Sequence, residues 1–364
     1  MKKFVPSLLI GFLLGQMACK KTIDPKTILP PVIPGSTTDI YVAGTIDSEG
    51  TRKAVYWKND SLIILSGNLM YAGTGDIAVS GNDVYVAGAE YNSALSKYDG
   101  GYWKNGIFTK LEGTLNDPPF LISGSDIYCG AAIQSNNDFY GGIWKDGQLT
   151  KLSPDTDYSA ALSFAIHNDQ LLVGGFHRRI YPQSTAAYWL NGVRTDLTNA
   201  GQFGVVRGVA FSGNDIYATG YISDTANRYS MAVYWKNGTV YQLSDSSGFN
   251  FATSIAVSGN DVYIAGHEYI PKTPTSNDNW LVKYWKNGVV QSLSDGDTSA
   301  FATAIAVNAA DVYITFQEFQ IGPNRPFPSA KYFKNGKQVT LPSNHLSAVA
   351  NRIAIVNTNH DQKY

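Results

Sequence analysis

The chain has 364 residues and a formal net charge of −1; 16% of its residues are charged and 44% are hydrophobic. It carries 35 Gly, 23 Tyr, 16 Phe and 7 Trp. Such aromatic content excludes a disordered chain, and such neutrality excludes a strong nucleic-acid binder, which needs a basic excess to neutralise phosphates.

Met1-Lys2-Lys3 is a short basic start, and Phe4 to Leu14 is mostly apolar. That stretch falls short of the roughly 20 residues of a bilayer-spanning helix, so residues 1–18 read as a cleaved export signal. Gln16-Met17-Ala18-Cys19 follows and resembles the cleavage box of bacterial lipoproteins, although Gln16 stands where that family usually has Leu. The resemblance implies lipidation at Cys19 and an anchor in a bacterial cell envelope, with the outer membrane expected and its side left open. Residues 19–36 contain Pro25, Pro30, Pro31 and Pro34 and read as a semi-extended tether. With Cys19 lipidated, Cys129 has no partner for an internal disulfide.

From residue 37 one unit recurs seven times. Its first half appears as Asp39–Gly44, Asp83–Gly88, Asp126–Ala131, Gln170–Gly175, Asp215–Gly220, Asp261–Gly266 and Asp311–Phe316. Its second half carries an aromatic marker at Trp57, Trp103, Trp144, Trp189, Trp235, Trp285 and Phe333, spaced by 46, 41, 45, 46, 50 and 48 residues. Each unit divides into four short strands, a to d. In the sixth unit these are Ser254–Ser258, Val262–Ala265, Val282–Lys286 and Val289–Leu293. The Gly-Asn and Asn-Gly pairs between them are hairpin signals, because both residues tolerate positive φ.

The first unit lacks strand a. The last segment, Arg352–Asn357, matches Thr303–Asn308, a strand a with nothing after it. The expectation is an all-β, seven-bladed β-propeller of four-stranded blades over residues 37–358, with the ring closed by the C-terminal strand joining the N-terminal blade and a tail at 359–364. The pattern resembles seven-bladed propellers, and its Trp-Lys-Asn-Gly-x(4)-Leu half loosely resembles the extracellular HAF-type repeats of bacteria. That likeness implies an architecture and leaves the activity open.

Most repeated residues have a structural assignment. The aromatic markers are expected to pack on the neighbouring sheet. Six blades pair an Asp at the start of strand b with a Lys after the marker, and the fourth has Gln170 and Leu190 instead, as a cross-strand pair would require. Cys129 sits where other units carry Val, Ile or Ala and is expected to be buried.

Variation is concentrated after strand b, so the b–c loops, with the d–a loops beside them, are the candidate binding face. Its residues are Glu90 and Tyr91 in the second unit; His177, Arg178, Arg179 and Tyr181 in the fourth; and Tyr221 and Arg228 in the fifth. His267, Glu268, Tyr269 and Trp280 follow in the sixth, and Gln317, Glu318 and Arg325 in the seventh. The five His have no zincin or zinc-finger spacing, although His177 and His267 occupy similar positions two units apart, where a shared metal would use both. Asp155-x-Asp157 and Asp295-Gly-Asp297 lack the remaining calcium-loop ligands. No metal, cofactor or catalytic residue is assigned. The expected function is a non-enzymatic binding or scaffold module that engages a protein or a glycan. The alternative is a glycan hydrolase or lyase with His177, Arg179, His267 and Glu268 around the channel mouth.

Overall fold

The computed structural model describes residues 36–359 apart from 49, 68–70, 114–117, 136–137, 153–157, 179–183, 200, 225–228, 246–247, 272–278, 295–297, 320–327 and 345. The export signal, Cys19 and nearly all of the tether lie outside the described residues, as do Arg179, Tyr181, Arg228, Arg325 and the two Asp-x-Asp pairs.

Every described regular element is a strand. In the first sheet, β1 (Ser36–Ser48), β2 (Thr51–Lys58) and β3 (Ser61–Ile64) are joined by the last strand of the chain. The second blade is β4 (Ala72–Ser80), β5 (Asp83–Asn92), β6 (Lys97–Lys104) and β7 (Ile107–Lys110). The third is β8 (Phe120–Ser123), β9 (Asp126–Ser135), β10 (Asp138–Lys145) and β11 (Gln148–Lys151). The fourth is β12 (Tyr158–His167), β13 (Gln170–Arg178), β14 (Thr185–Leu190) and β15 (Val193–Asp196). The fifth is β16 (Gln202–Ser212), β17 (Asp215–Asp224), β18 (Met231–Lys236) and β19 (Thr239–Gln242). The sixth is β20 (Asn250–Ser258), β21 (Asp261–Ile270), β22 (Asn279–Lys286) and β23 (Val289–Ser292). The seventh is β24 (Ser299–Asn308), β25 (Asp311–Phe319), β26 (Ala330–Lys334) and β27 (Lys337–Thr340). The closing strand is β28 (Ser347–Asn359), and it takes the strand-a place in the first sheet. It pairs antiparallel with β1 from Ser36↔Asn359 to Asp47↔Ser347. The chain therefore folds as a seven-bladed propeller of four-stranded antiparallel blades, as the repeats predict.

The c–d turns show why these residues make these hairpins. Asn59, Asn105, Asp146, Asn191, Asn237, Asn287 and Asn335 all have φ near +50°, which Asn and Asp tolerate better than other side chains. Each side chain then accepts a hydrogen bond, at 2.8–2.9 Å, from the second backbone N–H of strand b: Ile40, Val84, Ile127, Leu171, Ile216, Val262 and Val312. The Asp–Lys pairs form in the six blades that carry them, at 2.7–3.1 Å. Their lysines also lie over the strand-b tyrosines at 5.1–5.3 Å. These are exposed surface contacts that solvent and salt screen, so they steady the hairpins more than they stabilise the ring.

The core lies between blades. Each aromatic marker packs on the blade before it: Trp57 against Tyr313, Ala330 and Tyr332, Trp235 against Leu172 and Ala186, Trp285 against Tyr217 and Ala232. Indole nitrogens reach across as well: Trp57 Nε1 donates to the Pro342 carbonyl at 2.7 Å and Trp285 Nε1 to the Leu243 carbonyl at 3.0 Å. The contact of Trp57 with the seventh blade closes the circle. Cys129 is fully buried, and burial pushes its thiol up to about 12, so it behaves as an apolar core residue.

Candidate functional site

Six of the seven innermost strands carry a register shift. The pairing skips one residue at Leu162, Arg207, Thr253, Thr303 and Asn351, and skips Gly75 and Asp76 in the second blade. Each shift follows a buried residue: Thr74, Ala161, Val206, Ala252, Ala302 and Ala350. A bulge of this kind leaves one residue unpaired and re-aims its side chain. The third blade has Pro118-Pro119 ahead of its short inner strand, whose described pairing runs without a shift.

The bulge residues of five consecutive blades line one cavity. Leu162, Arg207, Thr253, Thr303 and Asn351 are joined there by Arg352, Phe251, His267, Gln317 and Ala302, around about 360 Å³. Only the channel of the ring brings together inner strands from residue 162 to residue 352. Most of the polar groups are held in place. Asn351 Nδ2 donates to the Thr74 carbonyl at 2.6 Å, and Gln317 Nε2 donates to Asn351 Oδ1 at 3.2 Å. Thr303 Oγ1 donates to the Ala350 carbonyl at 3.0 Å and Thr253 Oγ1 to the Ala265 carbonyl at 3.1 Å. Arg352 Nη1 donates to the carbonyls of Thr303 and Asn351 at 3.2 and 3.1 Å.

An aromatic cluster adjoins this pocket in the last three blades. The Phe251 and Trp280 rings are 5.8 Å apart, Trp280 and Phe301 5.2 Å, and Trp280 and Tyr269 5.2 Å. Tyr221 meets Phe251 edge-on at 4.9 Å. His267 lies among them, 5.2 Å from Phe301 and 5.3 Å from Trp280.

His267 is the perturbed group of the site. Burial, with the Arg207 charge adding to it, lowers its pKa from the ordinary 6.5 to about 4, while a hydrogen bond to the Ala302 backbone opposes the shift. The folded imidazole is therefore neutral at pH 7. Because the folded value lies below the unfolded one, the unfolded chain binds more protons between them. The contribution of a neutral His267 is complete above about pH 6.5 and is lost as the pH falls toward 4. Acidification from pH 7 to 4 is expected to remove about 3 kcal/mol through this group. The check is urea unfolding across that range for the wild type and His267→Gln, in which this share of the acid sensitivity should vanish.

The residues expected on the loop face lie mostly inside strands, because β5, β13, β17, β21 and β25 run on past the hairpin core. Consecutive strand residues face opposite ways, and this separates His267 from Glu268. His267 lines the pocket, whereas Glu268 binds Lys283 at 2.6 Å. Glu318 binds Lys331 and accepts from Thr298 Oγ1 at 2.6 Å. His177 is 6% exposed, with Nε2 3.0 Å from Asp196, which also binds Arg194. It pairs with Ser159 and Thr185, and its register matches that of Glu268, not that of His267. The two histidines thus point to opposite sides of their sheets and do not converge on one metal. Arg178 lies 3.9 Å over the Tyr158 ring. Tyr91 packs on Tyr98 at 5.2 Å. Glu90 is half-buried; desolvation pushes its carboxyl up, and a hydrogen bond from Trp103 opposes that.

Of the residues expected at the face, the structure brings His267, Tyr269 and Tyr221 to the pocket and its aromatic margin. Gln317 and Trp280, expected on the same face, join them, and the structure adds Arg207, Thr253, Asn351, Arg352, Phe251 and Phe301, which the sequence pattern does not single out. A signal for the bulges was present: Val206-Arg-Gly-Val209, Ala252-Thr-Ser-Ile255, Ala302-Thr-Ala-Ile305 and Ala350-Asn-Arg-Ile353 each break two-residue alternation after a small or branched apolar residue.

No protein-family model and no curated protein matches the chain. Among solved structures it is similar to the β-propeller domain of the trilobed protease from Pyrococcus furiosus, described as having an open velcro topology. That likeness is 15% identical, covers 75% of this chain and 84% of that one, and has a TM-score of 0.46. The acylaminoacyl peptidase of Pyrococcus horikoshii is 17% identical over 74% of this chain, with a TM-score of 0.45, and the match spans 46% of the peptidase. A thermostable family-43 glycoside hydrolase is 10% identical over 62% of this chain and 94% of its own, with a TM-score of 0.35. Likeness at this level bears on neither chemistry nor ligand, and the seven-bladed ring rests on the sheet order itself.

Proposed function

We propose that the protein is a non-enzymatic binding module that seats a glycan in and beside the channel pocket. The observation that carries this reading is the cluster of Phe251, Trp280, Phe301 and Tyr269 next to the neutral polar groups of Thr253, Thr303, Gln317 and Asn351. A sugar has apolar C–H faces and a hydroxyl edge; rings take the first, and amides and hydroxyls take the second. The arrangement of carboxylates favours binding over hydrolysis. Glycoside hydrolysis uses two carboxyl groups about 5–10 Å apart. Glu268 and Glu318 are instead each held by a lysine of their own blade, and the pocket lining contains no carboxylate among the described residues.

The test is glycan-array binding with Trp280→Ala. Affinity is expected to fall about tenfold, equivalent to one aromatic contact of about 1.4 kcal/mol, with the fold intact. Binding that is unchanged in the folded variant would overturn the reading.

The proposed setting is a bacterial cell envelope, with the chain exported and lipid-anchored through Cys19. Its support is the Lys2-Lys3 start, the short apolar run and Ala18-Cys19, together with the likeness of the repeats to extracellular HAF-type repeats. Cys19→Ala is expected to move the protein from the membrane fraction to the soluble fraction, and mass spectrometry of the mature N-terminus reads the lipid directly.

A further inference from the structure

Among the described residues, two cations in the channel stand without an acid. Arg207 is exposed, although it lies between buried Val206 and buried Gly208, and it makes no ion pair or hydrogen bond among the described residues. Arg352 uses only Nη1 in its described hydrogen bonds, both to backbone carbonyls, which leaves Nε and Nη2 for other acceptors. The other described arginines are matched: Arg52 by Asp47, Arg194 by Asp196, and Arg178 by the Tyr158 ring. The inner-strand carboxylate of the second blade, Asp76, accepts from the backbone N–H groups of Ile77 at 2.9 Å and Phe120 at 3.2 Å and is not part of the pocket wall. The neighbouring His267 is kept neutral, so it adds a ring and no charge. Two guanidiniums in a concave channel focus a positive potential on that space.

A simple anion does not account for the rest of the lining. The cavity of about 360 Å³ is at the small end of ligand sites, yet large for a lone ion, and Phe251 forms part of its wall beside four neutral polar side chains. We propose that the channel pocket receives the carboxylate-bearing residue of an acidic glycan, with Arg207 and Arg352 on the carboxylate, Thr253, Gln317 and Asn351 on hydroxyls, and Phe251 against the C–H face. This inference rests on the glycan-binding reading above and specifies the class of sugar. Planar guanidinium matches planar carboxylate with two parallel hydrogen bonds, a fit that a lysine ammonium lacks.

The experiment is calorimetric titration of the full-length protein in detergent at pH 7 with a uronic acid glycoside, its methyl ester, acetate and inorganic phosphate. The ester keeps every hydroxyl and removes only the charge. The acid is expected to bind at least tenfold more tightly than the ester, and added salt should weaken the acid and spare the ester. Arg207→Gln and Arg352→Gln should each abolish that preference, so that the acid binds no more tightly than the ester. Should either glutamine variant fail to fold, Arg207→Lys is used in its place and should retain part of the preference. Equal affinity for acid and ester, with array binding and its loss in Trp280→Ala intact, would overturn this inference and spare the glycan reading. Acetate or phosphate binding as tightly as the acid would also overturn it, since the sugar would then contribute nothing. Absence of binding to any sugar, with Trp280→Ala silent on the array, would remove both.

Discussion

A chain ended after Asn344 is expected to fail to fold. The missing β28 supplies the innermost strand of the first blade and pairs with β1 along nearly its whole length. It also places Ala348 and Ala350, with Ile353 and Ile355 packed beside them, in the core that joins the first blade to the seventh. Without it β1 becomes an open edge, and Val42, Ile46 and Trp57 lose one wall of their packing. Whole domains are stable by about 5–15 kcal/mol, and the loss of several buried apolar side chains together with a full ladder exceeds that margin. Circular dichroism and the soluble fraction on expression give the readout. A synthetic peptide of Ser347–Asn359 supplied in trans should restore folded material. Ile353→Asp is the milder form of the same test and should lower stability by about 2–5 kcal/mol, since Ile353 faces Val42. A truncated chain with the melting temperature of the intact protein would mean that the ring does not depend on this closure.

Trp285→Ala is expected to cost about 3–5 kcal/mol in urea unfolding, the range for deleting a fully buried large aromatic. Its indole sits over Gly266, and a Cβ added there would lie 2.9 Å from the ring and inside the contact radius of the Phe251 carbonyl oxygen. Gly266 pairs with Ala252, the residue just before the Thr253 bulge, so the bulge and the indole both depend on the absent side chain. Gly44 with Trp57 and Gly88 with Trp103 repeat the arrangement. The seventh blade solves the same packing with two medium rings: Phe316 stands where five of the other blades have Gly and the third has Ala131, Phe333 stands where they have Trp, and the rings stack at 4.4 Å. Gly266→Ala should therefore cost about 2–4 kcal/mol. Gly266→Phe should be far worse alone than with Trp285→Phe, because the double change recreates the Phe316–Phe333 pair. The rescue should be partial, since the clash with the Phe251 carbonyl belongs to the backbone. Equal destabilisation of the single and double variants would show that the ring volumes are not coupled.

Blade number, strand order within each blade and closure by the last segment were legible in the amino-acid sequence. Each rests on short-range devices: an Asn or Asp at positive φ in the c–d turn, alternation within a strand, and a marker aromatic at every repeat. The Asp–Lys pairs and the burial of Cys129 were legible for the same reason, since their partners lie on the same hairpin or on the adjacent sheet. The pocket was not legible. Leu162, Arg207, Thr253, Thr303 and Asn351 are separated by 45–50 residues each, and only ring closure puts them in one channel. His267 and Glu268 are neighbours in sequence, but the pleat sends one into the channel and the other to Lys283, a division that depends on register to the residue. Local turns and periodicity therefore determined the architecture from sequence alone. Which side chains share a solvent space was decided by the tertiary structure, through the inner-strand bulges and the curvature that makes seven separate sheets face one axis.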